Sequence, residues 1–527
     1  MSEVKENIIQ VNKFLHDYVA KEPKSREYSR NTTNAYGGDL ENMLAGACNG
    51  CLKKCNRDFT QAIYCQNAVS TLMSMSIRGS VVIMHGPIGC GSQNHGLEGR
   101  TKLASIHRGL EPEEAIWLSS NMNEDDVVLG GGRNLKAAIL KAQEEFDPSC
   151  IFVLNSCAPG VIGDDIEGII EEMRSKVKAT IIPLHCPGFM AKVFTSAYDV
   201  VYHGVLQNFQ FTQDDGEFGL DKTLPDYEEK RAQLTEKKNK TVNLFVASSI
   251  SAYDEKEIIR LLNKLGLHVQ TFIEYRSPEE LKNVTNAALN VCLCHVHDIY
   301  FVNYLKEQFG MPYITPSIPI GISATNKFIT EIAEFFGLKK EAEELTKKET
   351  EKVLRAVEPI KERIEGKTAL ISGGYLRNGS TALLLNDIGV KVLGFRHFNY
   401  DEFGNELFKE VKETIGNVTN SVSTQASELV NLLQKIQPDL CLTHPGAGVW
   451  IAKTGTPTLT LFSENFSYFG YRGVFEVARR VDRTLKNRKY VENLKDNVEL
   501  PFTNEWYEKN PYHYISDFRI DEEEKIS

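Results

Sequence analysis

The feature that most limits how this chain can fold is an alternation of short β-rich runs with longer helical segments, and the alternation starts three times. The first series sets Val81–Met84, Cys150–Asn155 and Thr180–Leu184 among the helical stretches Arg133–Glu145 and Asp165–Lys176. The second runs through Val242–Ala247, Glu255–Leu265, His268–Ile273 and Ala288–Leu293, of which only Glu255–Leu265 reads as helix. The third has strands at Thr368–Ser372, Val390–Phe395, Leu440–Thr443 and Thr458–Leu461, with helices at Thr381–Asp387 and Gly473–Leu485. Strands that alternate with helices pair in parallel, because the helix carries the chain back to the edge from which the next strand starts. The pattern predicts an α/β fold: three Rossmann-like domains, with mostly parallel sheets flanked by helices. The divisions fall at 1–60 (an N-terminal extension with a cysteine cluster), 61–240 (domain I), 241–366 (domain II), 367–490 (domain III) and 491–527 (a C-terminal tail). Residues 1–60 read as polar and irregular after a short helical pattern near Ile9–Val19, and 213–241 as a charged linker or surface excursion. A long Lys/Glu-rich helix over 339–366, with apolar Leu345, Val353 and Ile360, reads as a solvated connection.

Composition removes several classes of function. The net charge is −11 and no basic stripe carries interleaved aromatics, so nucleic acid is not an expected partner. No window approaches about 18 uninterrupted apolar residues, so no membrane span is expected. The N-terminus lacks a basic stretch followed by an apolar one, which points to a cytoplasmic protein. A chain of 527 residues builds its core without disulfides, yet it carries 11 cysteines. In a reducing cytosol, clustered cysteines are more often metal or redox ligands than disulfides.

Two cysteines close predicted strands. His85-Gly86-Pro87-Ile88-Gly89-Cys90-Gly91 follows Val81–Met84 directly, and Asn155-Ser156-Cys157-Ala158-Pro159-Gly160 closes Cys150–Asn155. Ligands in open α/β sheets lie outside the carboxyl ends of strands, so two thiols on neighbouring strands can converge on one group. Each thiol could equally be a small buried hydrophobe. Asp164 or Asp165 suits the N-cap of the next helix. Cys65 lies 25 residues before Cys90, a spacing that carries no meaning by itself. Leu129-Gly130-Gly131-Gly132-Arg133-Asn134 reads as a tight turn before a helix, or as a cradle for an anion at that helix's start. No G-x-x-x-x-G-K-[ST] pattern occurs, so ATP chemistry would belong to a partner. Cys48, Cys51 and Cys55 form C-x2-C-x3-C; with Cys65 or a cysteine from another chain they could close an extra 4Fe-4S or zinc site, or be surface thiols.

Several segments, in order, resemble the nitrogenase component 1 family of molybdenum–iron protein chains and their relatives. They are His85–Gly91, Leu129-Gly130-Gly131, Cys157–Asp165, His185-Cys186-Pro187-Gly188-Phe189, Leu289–Cys294, Gly310-Met311-Pro312-Tyr313, Ile371-Ser372-Gly373-Gly374 and Phe469-Gly470-Tyr471-Arg472-Gly473. The resemblance implies that Cys65, Cys90 and Cys157 are one subunit's thiolate ligands to an iron–sulfur cluster, P-cluster-like or 4Fe-4S, shared across a subunit interface. Gly86, Gly89 and Gly91 would allow close packing around it. It also puts Cys294 where the catalytic alpha chain anchors a second, complex iron–sulfur cofactor, with Cys292, His295 and His297 beside it. Cys292 and Cys294, two apart on a strand, would face the same side. The implied partners are a second component 1 type subunit, in a hetero- or homo-oligomer of tetrameric size, an ATP-dependent iron protein reductase and a small-molecule substrate.

The departures are specific. The family's alpha chain ligates molybdenum with a histidine where this chain has Phe469, which cannot coordinate metal. The histidine that assists nitrogen reduction has no counterpart after Cys186-Pro187-Gly188-Phe189, and the arginine after the paired glycines is displaced to Arg377. No catalytic residue is assigned. Three functions follow: a nitrogenase-like oxidoreductase subunit for another substrate, a scaffold for assembly of a nitrogenase-type cofactor, or a binding protein whose cysteines are core residues.

Overall fold

The computed structural model describes residues 23–48, 50, 52, 57, 65–92, 97–209, 211, 218–246, 251–461, 463 and 465–515. Two compact units result: one within 1–25, 64–252 and 262–316, the other within 26–63, 253–261 and 317–527. The first strand, β1 (Tyr36–Asp39), belongs to the second unit.

The first unit holds two parallel sheets. One contains β2 (Ser80–His85), β3 (Ile116–Ser119), β4 (Cys150–Asn155) and β5 (Thr180–His185), in the order β3-β2-β4-β5. Every residue of β2 and of β4 is buried, as expected for central strands covered on both faces. On one face Val81, Ile83, Ile151, Val153 and Ile181 pack against Leu135 and Ile139 of the helix Gly132–Phe146 and against Ile166 and Ile170 of the helix Ile166–Arg174. Alternate strand residues meet every third or fourth helical residue, the two periods the sequence shows. The other sheet contains β6 (Thr241–Val246), β7 (His268–Ile273), β8 (Leu289–Cys292) and β9 (Tyr313–Ile314), in the order β7-β6-β8-β9.

The second unit holds β10 (Thr368–Gly373), β11 (Lys391–His397), β12 (Thr419–Val422), β13 (Leu440–Thr443) and β14 (Thr458–Thr460). With β1 they form a six-stranded sheet, β1-β12-β11-β10-β13-β14, parallel except for β1, which runs antiparallel to β12 with Tyr36 opposite Val422. All three sheets share one reversal of strand order. It lies between β2 and β4, between β6 and β8, and between β10 and β13. Loops that leave such neighbouring strands diverge and open a crevice at the carboxyl ends.

Three sequence expectations need correction. The region 1–60 is not simply irregular, since it supplies β1 and the helix Leu40–Cys48. The helix Lys339–Ile364 is not merely a solvated connection. It buries Ala342, Thr346, Glu349, Val353, Val357, Ile360 and Ile364 along one stripe and packs against the helix Gly470–Lys486. The stripe is hard to read because Thr346 and Glu349 are polar. Cys294 is not on a strand, because β8 ends at Cys292 and Cys294 caps the helix His295–Phe309. Of the segment 213–241, the described residues 218–240 keep a solvated character: none is buried, the helix Tyr227–Asn239 included, and Thr241 already belongs to β6. Among the described residues no helix is long and apolar enough to cross a membrane.

Candidate functional site

The crevice between β2 and β4 is where the sequence puts Cys90 and Cys157. After β2 the chain turns at Gly86, whose φ is +154°. A β-carbon there would meet the Ser156 hydroxyl, so only glycine lets the two loops cross. The Ser120 hydroxyl accepts from the Gly86 N–H (3.0 Å) and lies 2.9 Å from Nδ1 of His85. Cys90 follows in the short helix Ile88–Ser92, half-buried. Cys157 opens the helix Cys157–Ile162 after Ser156, whose N–H donates to the His85 carbonyl (3.0 Å), and Cys157 is exposed.

Cys65 reaches the same place by another route. It precedes the helix Gln66–Met75, and the first two side chains of that helix clip it to strand ends. The Gln66 amide donates to the Pro187 carbonyl (2.7 Å), and the Asn67 amide donates to the Asn155 carbonyl (3.2 Å) at the end of β4. The Asn67 amide also lies 3.4 Å from the Cys186 sulfur, which gives Cys186 a packing role. Cys65 and Cys157 meet over Gly188. A β-carbon built on Gly188 would stand 3.3 Å from Cys65 Cβ, 3.6 Å from Cys65 Sγ and 3.4 Å from Cys157 Sγ. Cys90 closes the group: burial raises its thiol pKa most, the Cys157 and Cys65 sulfurs raise it further, and the Ser156 hydroxyl opposes them. Like charges that hinder one another's ionisation are what a bound cation reverses. The structure thus brings Cys65, Cys90 and Cys157 together.

Their sulfurs do not close on one point. Among the described residues no three His, Cys, Asp or Glu side chains could hold a single metal ion. A multi-iron cluster has no such requirement, since its iron atoms each take a thiolate. The donor set, and the gap that Gly188 keeps open between two thiols, fit such a cluster.

Behind the thiols a buried network fixes the loops. His85 Nε2 lies 3.0 Å from Asp164 Oδ2, and Asp164 accepts from the Gly131 N–H (2.9 Å). Burial lowers the His85 pKa, and Asp164 only partly offsets this. The 129–134 turn therefore does bind a carboxylate, but it is the chain's own Asp164. The N-cap of the following helix is Asp165, which accepts from the Gly168 N–H (2.9 Å). Of the glycines expected beside the thiols, Gly86 packs on Ser156, Gly91 on Trp117, and Gly89 has nothing within 4 Å. Gly188 was the residue missed. Its signal was a Pro-Gly pair following a strand.

The other candidates lie elsewhere. Cys294 is buried, and its carbonyl accepts from the N–H groups of His297 (2.9 Å) and Asp298 (3.0 Å). Cys292 is buried, His295 half-buried, and the His297 ring lies 4.2 Å from that of Tyr198, tilted by 34°. Phe469 is fully buried at the start of the helix Gly470–Lys486, its N–H donating to Asp254 Oδ1 (2.8 Å). Cys48 is exposed, 3.9 Å from the Asn405 amide, while Cys51 and Cys55 lie outside the described residues.

Comparison with known proteins decides the family. The profile described as nitrogenase component 1 type oxidoreductase matches residues 65–486. The chain belongs to that family. Component 1 type relatives include two kinds of protein. A nitrogenase molybdenum-iron protein alpha chain from Methanothermobacter thermautotrophicus is 25% identical over 414 residues, covering 77% of this chain and 83% of the relative. A nitrogenase iron-molybdenum cofactor biosynthesis protein NifE from Rippkaea orientalis is 25% identical over 421 residues, covering 79% and 83%. The solved structure titled "Nitrogenase Cp1 at pH 5" superposes with a TM-score of 0.65 at 22% identity, over 85% of this chain and 93% of that one, and shows the shared α/β component 1 fold.

Proposed function

We propose that this chain is a subunit of a nitrogenase-like oxidoreductase. Cys65, Cys90 and Cys157 hold an iron–sulfur cluster shared with a second component 1 type subunit. An ATP-dependent iron protein would supply its electrons, and Cys294 would hold a second iron–sulfur cofactor whose chemistry would be the reduction of a small-molecule substrate. The observation that supports this reading is that Cys65 and Cys157, from distant segments, meet over Gly188 at the β2/β4 crevice, with the Cys90 thiol close enough to feel both.

A cluster bound there supplies one-electron transfer, at a potential set by burial and hydrogen bonds to its sulfurs. The chain's own residues do the rest. The Gln66 and Asn67 amides position Cys65, Ser156 faces Cys90, and His85 with Asp164 holds the loop between them. The site is half open, because Cys157 is exposed and Ile88, Val161, Phe189 and Met190 stand exposed on the same segments. Exposed apolar residues around incomplete ligand sets suit a partner chain that brings the remaining ligands.

A second reading is a scaffold that holds a cofactor precursor and releases it. Phe469 favours it, since the resemblance implies a histidine ligand at that position, and NifE stands among the relatives. The two part experimentally. Anaerobically purified protein is expected to be brown, with several irons per chain. Turnover that needs both reductase and MgATP supports the first reading; cluster transfer to an apo-enzyme without turnover supports the second. Colourless, iron-free protein after anaerobic isolation refutes both.

A further inference from the structure

In the second unit a cavity of about 640 Å³ lies along the furrow between the helices Lys339–Ile364 and Gly470–Lys486. Tyr253, Asn465, Phe466 and Ser467 also line it. None of the described candidate cysteines lines it. Its size falls within the range of small-molecule and cofactor sites.

The walls are unusual for a surface furrow. Arg472, Phe475 and Arg479 recur along one stripe of the Gly470–Lys486 helix, opposite Lys352 and Ala356 on the facing helix, and all five are exposed. Phe475 is 38% exposed and Tyr253 44%, so two large rings face the opening where polar side chains would be the ordinary choice. Polar groups beneath them are tightly built. Glu257 is fully buried and takes both Arg260 (2.7 Å) and Arg472 (3.2 Å), while Glu349 takes Arg260 from the other side (2.9 Å). Arg479 is paired with Glu476 (2.8 Å). Four lining cations, Arg260, Lys352, Arg472 and Arg479, face two lining carboxylates, Glu349 and Glu476, with the buried Glu257 beneath and Arg480 3.8 Å over the Phe466 ring, so the furrow carries a net positive charge. Arg472 engages Glu257 through Nε, and its side chain is 63% exposed.

We propose that this furrow is a binding site for an aromatic anion, a planar ring system carrying a carboxylate, sulfonate or phosphate ester. The ring lies against Phe475, Tyr253 and Phe466; the anionic group meets Arg472 and Lys352. Rings supply apolar area and stacking, whereas the cations set orientation and select for charge. The site is separate from the thiols, so it stands whether the chain is a catalytic subunit or a scaffold.

A matched pair of dyes tests this on the full chain. 8-Anilinonaphthalene-1-sulfonate and N-phenyl-1-naphthylamine share the same rings and differ by the sulfonate; both brighten on binding. The sulfonate is expected to bind saturably and more tightly than the neutral dye. Arg472→Glu should weaken the sulfonate about three- to fivefold, the range of a partly exposed ion pair, and leave the neutral dye unchanged. Phe475→Asp should weaken both. Phe475→Asp should leave the melting curve unchanged; Arg472→Glu sets a carboxylate beside the buried Glu257 and should lower it, so Lys352→Gln, at an exposed position, repeats the charge test in a protein that melts as the wild type does and should weaken only the sulfonate. Absence of saturable binding, or dye binding that none of these substitutions moves, overturns the proposal. Iron content, measured on the same samples, reports separately on the thiol site.

Discussion

Gly188→Ala is the sharpest single perturbation of the thiol site. Its backbone is in an ordinary conformation, because Gly188 is not among the positive-φ glycines, so alanine adds no dihedral strain. The cost is steric and local. The new methyl would stand 3.3 Å from Cys65 Cβ, a few tenths of an ångström inside comfortable contact, and in ordinary contact with Cys157 Sγ at 3.4 Å. Small overpacking of this kind costs about 1 kcal/mol, or about 3 °C in melting temperature for a unit of this size. Relief comes from moving the two sulfurs apart. Metal–thiolate sites tolerate shifts of only about 0.2 Å, so a displacement that folding absorbs is one that ligation does not. The expected result is a folded protein with a near-normal melt whose iron and sulfide, after anaerobic reconstitution, fall to less than about half of the wild-type content. Gly89→Ala is the control, since nothing lies within 4 Å of its added β-carbon, and it should be neutral in both assays. Full iron content and an unaltered electron paramagnetic resonance spectrum in Gly188→Ala would refute the reasoning.

Other substitutions probe the surroundings. Cys90→Ala should remove the signal of the shared cluster while any cofactor held at Cys294 keeps its own; unchanged spectra would count against Cys90 as a ligand. Asp254→Ala removes the carboxylate that accepts from the N–H groups of both Tyr468 (2.5 Å) and Phe469 (2.8 Å), and should cost about 2–3 kcal/mol by urea denaturation. A loss below about 0.5 kcal/mol, a third of one such bond, would show that the loop is held by other means. His397 is fully buried, its Nδ1 accepting from the Asn378 amide (2.9 Å) and its Nε2 donating to Asn420 (2.8 Å), and burial depresses its pKa to about 3. A depressed pKa means stability present above the unfolded value of about 6.5 and lost as pH falls towards about 3, up to about 5 kcal/mol. The slope of stability against pH between 6 and 4 should flatten in His397→Gln, and identical slopes would refute a buried neutral imidazole.

Much of the fold was legible because its central strands are short, apolar and bounded, as at Val81–Met84 and Cys150–Asn155, and because helices of ordinary amphipathic period separate them. What escaped depended on partners far away in sequence. Nothing local marks Tyr36–Asp39 as a strand; it is one because β12 pairs with it. The stripe on Lys339–Ile364 was obscured by Glu349, which reads as solvated until Arg260 is found beside it. The candidate site divides in the same way. Cys90 and Cys157 announce themselves by closing strands. Cys65 gave no sign of its own and was found by resemblance, since two amides, not a strand, bring it there. Gly188 was overlooked because a glycine's purpose is visible only once the atoms around it are known.

The pairing of Tyr36–Asp39 with Thr419–Val422 also bears on how the molecule is made. Tyr36 leaves the ribosome 386 residues before the Val422 it will pair with, a wait of about 20–80 s at ordinary rates of synthesis. For that interval the terminal sheet has no edge to offer, and a bare strand must be kept from neighbouring nascent chains. Helper proteins that shield the early segment would therefore raise the yield of the intact subunit more than that of a truncated one starting after the strand.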